Sequence, residues 1–292
     1  MLAEVLDVPF TKMVGAGNDF VVVDNRNSIV TTGSSFARRV CDRRFGIGAD
    51  GLLLLEKSDA SAFKMEYFNA DGSYGGMCGN GGRCISRYAF LNKIVASNIF
   101  SFEALGHQYR STMIGDNVEL QLKNPTDFRI NQKLTDSAVV MYHFVNTGSP
   151  HCIVFVEDNR DLFLTSFDDE DIEKYGKLMR FHAAFSPHGT NVNFVKILAP
   201  SIIQIRTYER GVEAETLACG TGAVASALIS NVVKTISFPI TVKVRSGEDL
   251  SVRAHKFSEF GFDEVTLLGS ARIAYNGTIR YNMATQTIVE TN

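Results

Sequence analysis

The chain has 292 residues, 45% of them hydrophobic, with a mean hydropathy near zero, which is enough for two ordinary domains with separate cores and excludes a disordered chain. Twenty-nine basic against thirty-two acidic residues give a formal charge of -3 with no clustered run of Lys or Arg, so nucleic acid and membrane surfaces are excluded as partners. Met1 to Phe10 has no basic segment leading into a long apolar run, and the densest apolar stretches, such as Leu52 to Leu55, are strand-length, so a cytoplasmic protein is expected.

In chain order, the first clear element is a glycine turn running into a β-rich strand and an acid, Gly15 to Asp24. A helix-like segment, Ser35 to Arg44, leads through a second glycine turn to the strand Gly48 to Leu55. The turn Met77-Cys78-Gly79-Asn80-Gly81-Gly82 opens a helix that Arg83, Arg87 and Lys93 mark as partly exposed. Short strands follow at Ile99 to Glu103, His107 to Met113 and Asn117 to Lys123. The polar stretch from Pro125 to Asp136 reads as a linker.

The same blocks then recur in the same order. Gly148 to Glu157 repeats the first turn and strand, Asp169 to Arg180 the helix-like segment, and Gly189 to Val195 the second turn and strand. The strand Ile202 to Tyr208 ends in Glu209-Arg210, and Ala218-Cys219-Gly220-Thr221-Gly222-Ala223 opens a helix, Ala223 to Val233, so apolar that it must be buried. From Gly51 to Cys78 is 27 positions and from Asn191 to Cys219 is 28, which brings the two cysteines into register. Strands are expected again at Ile240 to Arg245, Leu250 to Ala254 and Glu264 to Leu268. The end, Ala271 to Val289, has no counterpart in the first half and is expected to cross back to it. The pattern predicts an α+β fold of two pseudo-symmetric, facing domains, 1–132 joined by 273–292, and 133–272. Each is a curved, mostly antiparallel sheet wrapped round a central helix.

A cysteine at the mouth of a helix lies beside the unpaired N–H groups of the first turn, whose partial positive charge favours the thiolate. The glycines after it leave backbone N–H groups open to a carboxylate and to negative charge developing on it. Either cysteine alone could be a small buried hydrophobe, but as a symmetric pair Cys78 and Cys219 point to proton transfer beside a carboxylate. Cys41, Cys84 and Cys152 lie within element-like runs and belong to the core. Five cysteines, an odd number in a chain too large to need staples, predict free thiols, and none has zinc spacing.

Asn18, Asn69, Asn80 and Asn191 stand in turns, where an asparagine caps backbone. Glu209-Arg210, ten residues before Cys219, is either a solvated ion pair or part of the site. His151 alone of six histidines sits in a repeated block, opposite Asp19 of the other half. Neither glycine-rich stretch has the surroundings of a Walker loop or a dinucleotide fingerprint.

With both cysteines, GAGNDF, RRFGIGADG, FNADGS, GSPHC and ERG in place and in order, the chain resembles the diaminopimelate epimerase family along nearly its whole length. The resemblance implies interconversion of LL- and meso-2,6-diaminopimelate, a late step toward lysine, with no cofactor, neither pyridoxal phosphate nor a metal. It implies Cys78 and Cys219 as the acid/base thiols. Gly79, Asn80, Gly220 and Thr221 would donate to the reacting carboxylate, and Asn18, Asn69, Asn191, Glu209 and Arg210 would contact substrate. His151 and Glu209 would support the thiols, and a homodimer is the assembly common in the family. Gly51 and Ser149 depart from the glutamine and asparagine of some members. The residues alone also admit a racemase or epimerase of proline or hydroxyproline, and a non-catalytic amino-acid-binding protein whose thiols form a redox-switchable disulfide.

Overall fold

A computed structural model describes residues 5–135, 140–163, 166–168, 171–282 and 284–289. The chain divides into two compact units, Met1–Leu120 with Gly269–Asn292, and Gln121–Leu268. In chain order the first contains β1 (Val5–Gly15), β2 (Asn18–Asp24), α1 (Gly33–Val40), β3 (Gly51–Glu56), β4 (Lys64–Asn69), α2 (Gly79–Leu91), β5 (Ile99–Ala104), β6 (His107–Ile114) and β7 (Asn117–Gln121). The second contains β8 (Thr126–Leu134), β9 (Val140–Asn146), β10 (Pro150–Phe155), α3 (Ile172–Arg180), β11 (Asn191–Ala199), β12 (Ile202–Glu209), β13 (Ala214–Thr216), α4 (Gly220–Lys234), β14 (Ile240–Lys243), β15 (Asp249–Lys256) and β16 (Phe262–Ser270). The chain then returns to the first unit with β17 (Arg272–Asn282) and β18 (Thr287–Ile288).

The pairing pattern shows the duplication more clearly than the residues do. In the first unit β17–β1 and β1–β2 are antiparallel, β2–β3 parallel, β3–β4 antiparallel, β4–β5 parallel, and β5–β6 and β6–β7 antiparallel. In the second, β8–β9 and β9–β10 are antiparallel, β10–β11 parallel, β11–β12 antiparallel, β12–β14 parallel, and β14–β15 and β15–β16 antiparallel.

Two readings of the sequence change accordingly. The stretch from Pro125 is not a linker: Thr126–Leu134 is strand β8, paired with β9, and Asp136 lies outside the described residues. The end of the chain does have a counterpart, which is β8. β17 pairs with β1 as β8 pairs with β9, so one unit draws this strand from ahead of its repeat and the other from after it. β8 has apolar residues only at Phe128, Ile130 and Leu134, and the first five residues of β17 are all exposed, so the alternation of a half-buried strand is weak in both.

The central strands are apolar on both faces because helices cover both. In the first unit Val21, Val23, Leu52 and Leu54 pack with Phe36, Ala37 and Val40 of α1 and with Tyr281 of β17. Leu53 points the other way, to the first turn of α2. The second unit repeats this: Cys152, Val154, Val192 and Phe194 pack with Ile172 and Met179 of α3, while α4 lies against β9 to β12, β14 and β15. The sequence predicts the α3 segment from Asp169; residues 169–170 lie outside the described ones, and the helix begins at Ile172 behind the Asp171 cap.

Every residue of α4 from Gly222 to Ser230 is buried, as its composition predicts. α2 departs from expectation. Arg83 is completely buried, and Lys93 lies past the end of the helix. Cys41, Cys84 and Cys152 are core residues, and burial pushes the Cys41 thiol up to about 12.

Phe36 joins α1 to β17 through an edge-on contact with Tyr281, 4.8 Å between ring centroids, both rings buried. Phe36→Ala is expected to destabilise the first unit by about 3 to 5 kcal/mol. Urea unfolding of wild type and variant measures it, and a loss below about 1 kcal/mol would contradict this packing.

Candidate active site

Both paired cysteines are helix N-caps. Cys78 caps α2 and Cys219 caps α4, each with an extended backbone, and neither helix has an acidic residue in its first turn to offset the positive end of its dipole. The first intrahelical bonds run from Gly82 N–H to the Cys78 carbonyl and from Ala223 N–H to the Cys219 carbonyl. The amides of Gly79, Asn80, Gly220 and Thr221 therefore precede the helical ladder, where an anion would find donors. The Cys78 sulfur accepts from Gly81 N–H at 3.5 Å, and the Cys219 sulfur lies 3.5 Å from the Thr221 hydroxyl. All five cysteines are free thiols, Cys78 half-buried and Cys219 buried.

In the first unit a chain of directed hydrogen bonds leads to the Cys78 turn. Lys12 and Arg43 both bind Asp19, at 2.8 and 2.7 Å, and Arg43 also binds Asp50. Asp50 accepts from the Asn18 amide and from Asp19 N–H, Asn18 Oδ1 accepts from Asn80 Nδ2, and Asn80 Oδ1 accepts from Arg83. Burial alone would raise the Asp19 carboxyl, but hydrogen bonds from Arg43 and Lys12 outweigh it and hold the group down at about 2. Arg83 also reaches the carbonyls of Gly79 and Ser270, which braces the first turn from beneath.

The second unit solves the same problem with neutral groups. His151 stands on β10 and Asn193 on β11, facing α4 on the side of the sheet away from the α3 cluster. His151 Nε2 lies 2.9 Å from Thr221 Oγ1, and its Nδ1 lies 3.0 Å from Asn193 Nδ2. Burial, then the charge of Arg210, pushes the imidazole down to about 3, so it is neutral near pH 7. Asn80 and Thr221 each stand two residues past a thiol, and the side chains meeting them are Asn18 and His151. The counterpart of His151 is therefore Asn18, which also stands fourth in its turn as His151 does, and not Asp19.

Asn191 is buried and committed to the protein: its Nδ2 donates to Ser149 Oγ and the Pro150 carbonyl, and its Oδ1 takes the Arg210 N–H. Arg210 reaches the His188 carbonyl, and Glu209 accepts from the Thr216 hydroxyl at 3.0 Å. Asn69, half-buried at the end of β4, donates to Ser73 Oγ. At Gly51 the Tyr67 ring and the Phe68 carbonyl occupy the side-chain space, 2.5 and 2.6 Å from where a Cβ would lie, so no larger residue fits that backbone without moving both. The sequence alone does not mark Lys12, Arg43, Asp50 or Asn193 as site residues, and it reads Arg83 as a sign of helix exposure. Three of these lie inside quoted motifs, Arg43 and Asp50 in RRFGIGADG and Asn193 in the repeated strand, but strand burial conceals a polar residue's partner. Among the described residues no group of three or more His, Cys, Asp or Glu is placed to hold a metal ion, and no helix is long and apolar enough to cross a membrane.

The family model described as diaminopimelate epimerase matches residues 10–126 and 143–267. The diaminopimelate epimerase of Chlorobaculum tepidum is 46% identical over 91% of this chain and 99% of that protein, and that of Aquifex aeolicus 40% identical over 92% and 97%. A crystal structure of a hydroxyproline epimerase from Agrobacterium vitis, with bound trans-4-hydroxy-L-proline, superposes with a TM-score of 0.71 over 98% of this chain and 96% of that one. At 12% identity that likeness shows a shared fold.

The neutral burial of His151 has a consequence for stability. Its folded value, about 3, lies below the ordinary 6.5, so on acidification the unfolded chain takes up a proton that the folded chain refuses. The stabilisation is complete above about pH 6.5 and is lost as pH falls toward 3, by up to about 1.4 kcal/mol per pH unit, and buried His143, at about 4, acts with the same sign. Urea midpoints measured from pH 7 to 4 are expected to fall less steeply in His151→Gln than in wild type. Identical slopes would contradict a neutral buried imidazole.

Proposed function

Because the chain belongs to the diaminopimelate epimerase family, we propose that it interconverts LL- and meso-2,6-diaminopimelate, with Cys78 and Cys219 as the two proton-transfer groups. The observation that carries the reading is the matched placement of the thiols, each an N-cap over a glycine turn.

The α-hydrogen of an amino acid is a weak acid, and inversion requires its removal from one face and replacement on the other. In this reading one cysteine is a thiolate and takes the α-proton, while the carbon–hydrogen electron pair moves into the carboxylate. The backbone donors of Gly79, Asn80, Gly220 and Thr221 stabilise the enolate-like charge, and the second cysteine, a thiol, gives its proton to the opposite face. The pair carries one proton in total, and reversing the direction of reaction exchanges the roles. Asn18, Asn69, Asn191, Glu209 and Arg210 hold the unreacting amino-acid head, with Asn191 acting through its grip on the Arg210 backbone and the Ser149 turn. Binding energy from that distant head is what a shorter amino acid would lack.

Cys78→Ala and Cys219→Ala are each expected to lower epimerisation by about 10²- to 10⁴-fold, with circular dichroism unchanged. Chiral chromatography of the two isomers measures it, with proline and hydroxyproline assayed beside them. Near-native turnover by either variant would overturn the two-thiol mechanism. Inversion of proline in place of diaminopimelate would reassign the substrate.

A further inference from the structure

Asn193 stands two residues after a substrate-binding candidate, Asn191, on the same face of the same strand, and is completely buried. Its three partners fix which way its amide faces. Nδ2 donates to the Cys152 carbonyl at 3.2 Å, and Oδ1 accepts from the Thr207 hydroxyl at 3.0 Å. Turning the amide over would set its oxygen against the Cys152 carbonyl, two acceptors with no proton between them. The second hydrogen of Nδ2 is thereby directed at His151 Nδ1, 3.0 Å away. A nitrogen that accepts carries no hydrogen, so the single hydrogen of the neutral ring sits on Nε2, which must donate to Thr221 Oγ1 at 2.9 Å. The Thr221 oxygen then has an incoming donor, and its own hydrogen is left for the Cys219 sulfur at 3.5 Å.

We propose that Asn193 is a positioning residue for Cys219: it locks His151 in the Nε2–H form and so makes the Thr221 hydroxyl a donor to the Cys219 thiolate. With the hydrogen on Nδ1 instead, Nε2 would claim the Thr221 hydrogen and present the sulfur with an oxygen lone pair, which favours the thiol. Direction, not the number of hydrogen bonds, decides which form of Cys219 is favoured. No proton travels along the relay, and His151 acts as a fixed dipole. Gly222 protects the arrangement, since a Cβ there would lie 2.4 Å from Asn193 Oδ1 and 3.3 Å from the Cys219 sulfur. The first unit reaches its thiol turn through charged residues, so the relay is particular to Cys219.

The proposal rests on Cys219 being an acid/base thiol, and its test reads ionisation rather than turnover. In a Cys78→Ser background, the pH dependence of Cys219 alkylation by iodoacetamide gives its thiol pKa. Thr221→Val and Asn193→Ala are each expected to slow alkylation near neutral pH by about tenfold. The double variant should be no slower than Thr221→Val alone, because both act through one hydroxyl. His151→Gln, whose amide can accept from Asn193 and donate to Thr221, should restore most of the rate that His151→Leu loses. Additive losses, or equal loss in Gln and Leu variants, would overturn the relay. One measurement needs no variant of the relay: nitrogen-15 NMR of labelled histidine, with His151 assigned through His151→Gln, should show a protonated Nε2 and a bare Nδ1. The opposite pattern would overturn the proposal even if Asn193→Ala fails to fold. If epimerisation is absent while these results hold, the functional reading fails and the relay stands.

Discussion

The structure depends on one local arrangement, made twice: a cysteine sulfur held at the N-cap of a helix whose first turn is free of acidic residues and whose leading amides precede the helical ladder. A thiol is a poor base at neutral pH unless its anion is stabilised, and a buried thiol is poorer still, as Cys41 illustrates. The helix terminus supplies oriented N–H dipoles to a buried sulfur without placing a full counter-charge beside it. The surrounding sheets hold that terminus still. Strands apolar on both faces let α2 and α4 pack against them while α1 and α3 cover the other side.

The two units keep this geometry with different chemistry behind it. In the first, Lys12, Arg43, Asp19 and Asp50 form a charged base under Asn18 and Asn80. In the second, Asn193, His151 and Thr221 form an uncharged line. Duplication has preserved the position two residues past the thiol and the strand residue that meets it, and has let the residue types diverge. For the proposed reaction the two thiols need not have identical surroundings, only surroundings that leave the pair sharing one proton.

Much of this was legible in the sequence. Glycine turns, β-rich strands and the register of Gly51 to Cys78 against Asn191 to Cys219 located both N-caps, because these are local patterns. The 126–134 and 272–282 strands were misread or left unmatched because strand pairing is non-local and their alternation is weak. The sequence places Arg83 at the surface because a charge on a helix usually faces solvent, whereas in the structure it turns under the first turn to Asn80. Asn193 was passed over inside an apolar strand, since nothing in sequence tells which face a polar residue takes or what waits there.

The most direct test of the two-thiol account is where solvent hydrogen goes in the earliest turnovers. With LL-diaminopimelate in deuterium oxide and no added cofactor, the account predicts that the first meso product carries deuterium at the inverted α-carbon while the remaining LL substrate does not. One group removes hydrogen and another delivers solvent-derived hydrogen. Early meso product that keeps the original hydrogen would mean that a single group both takes and returns it, and would contradict the account.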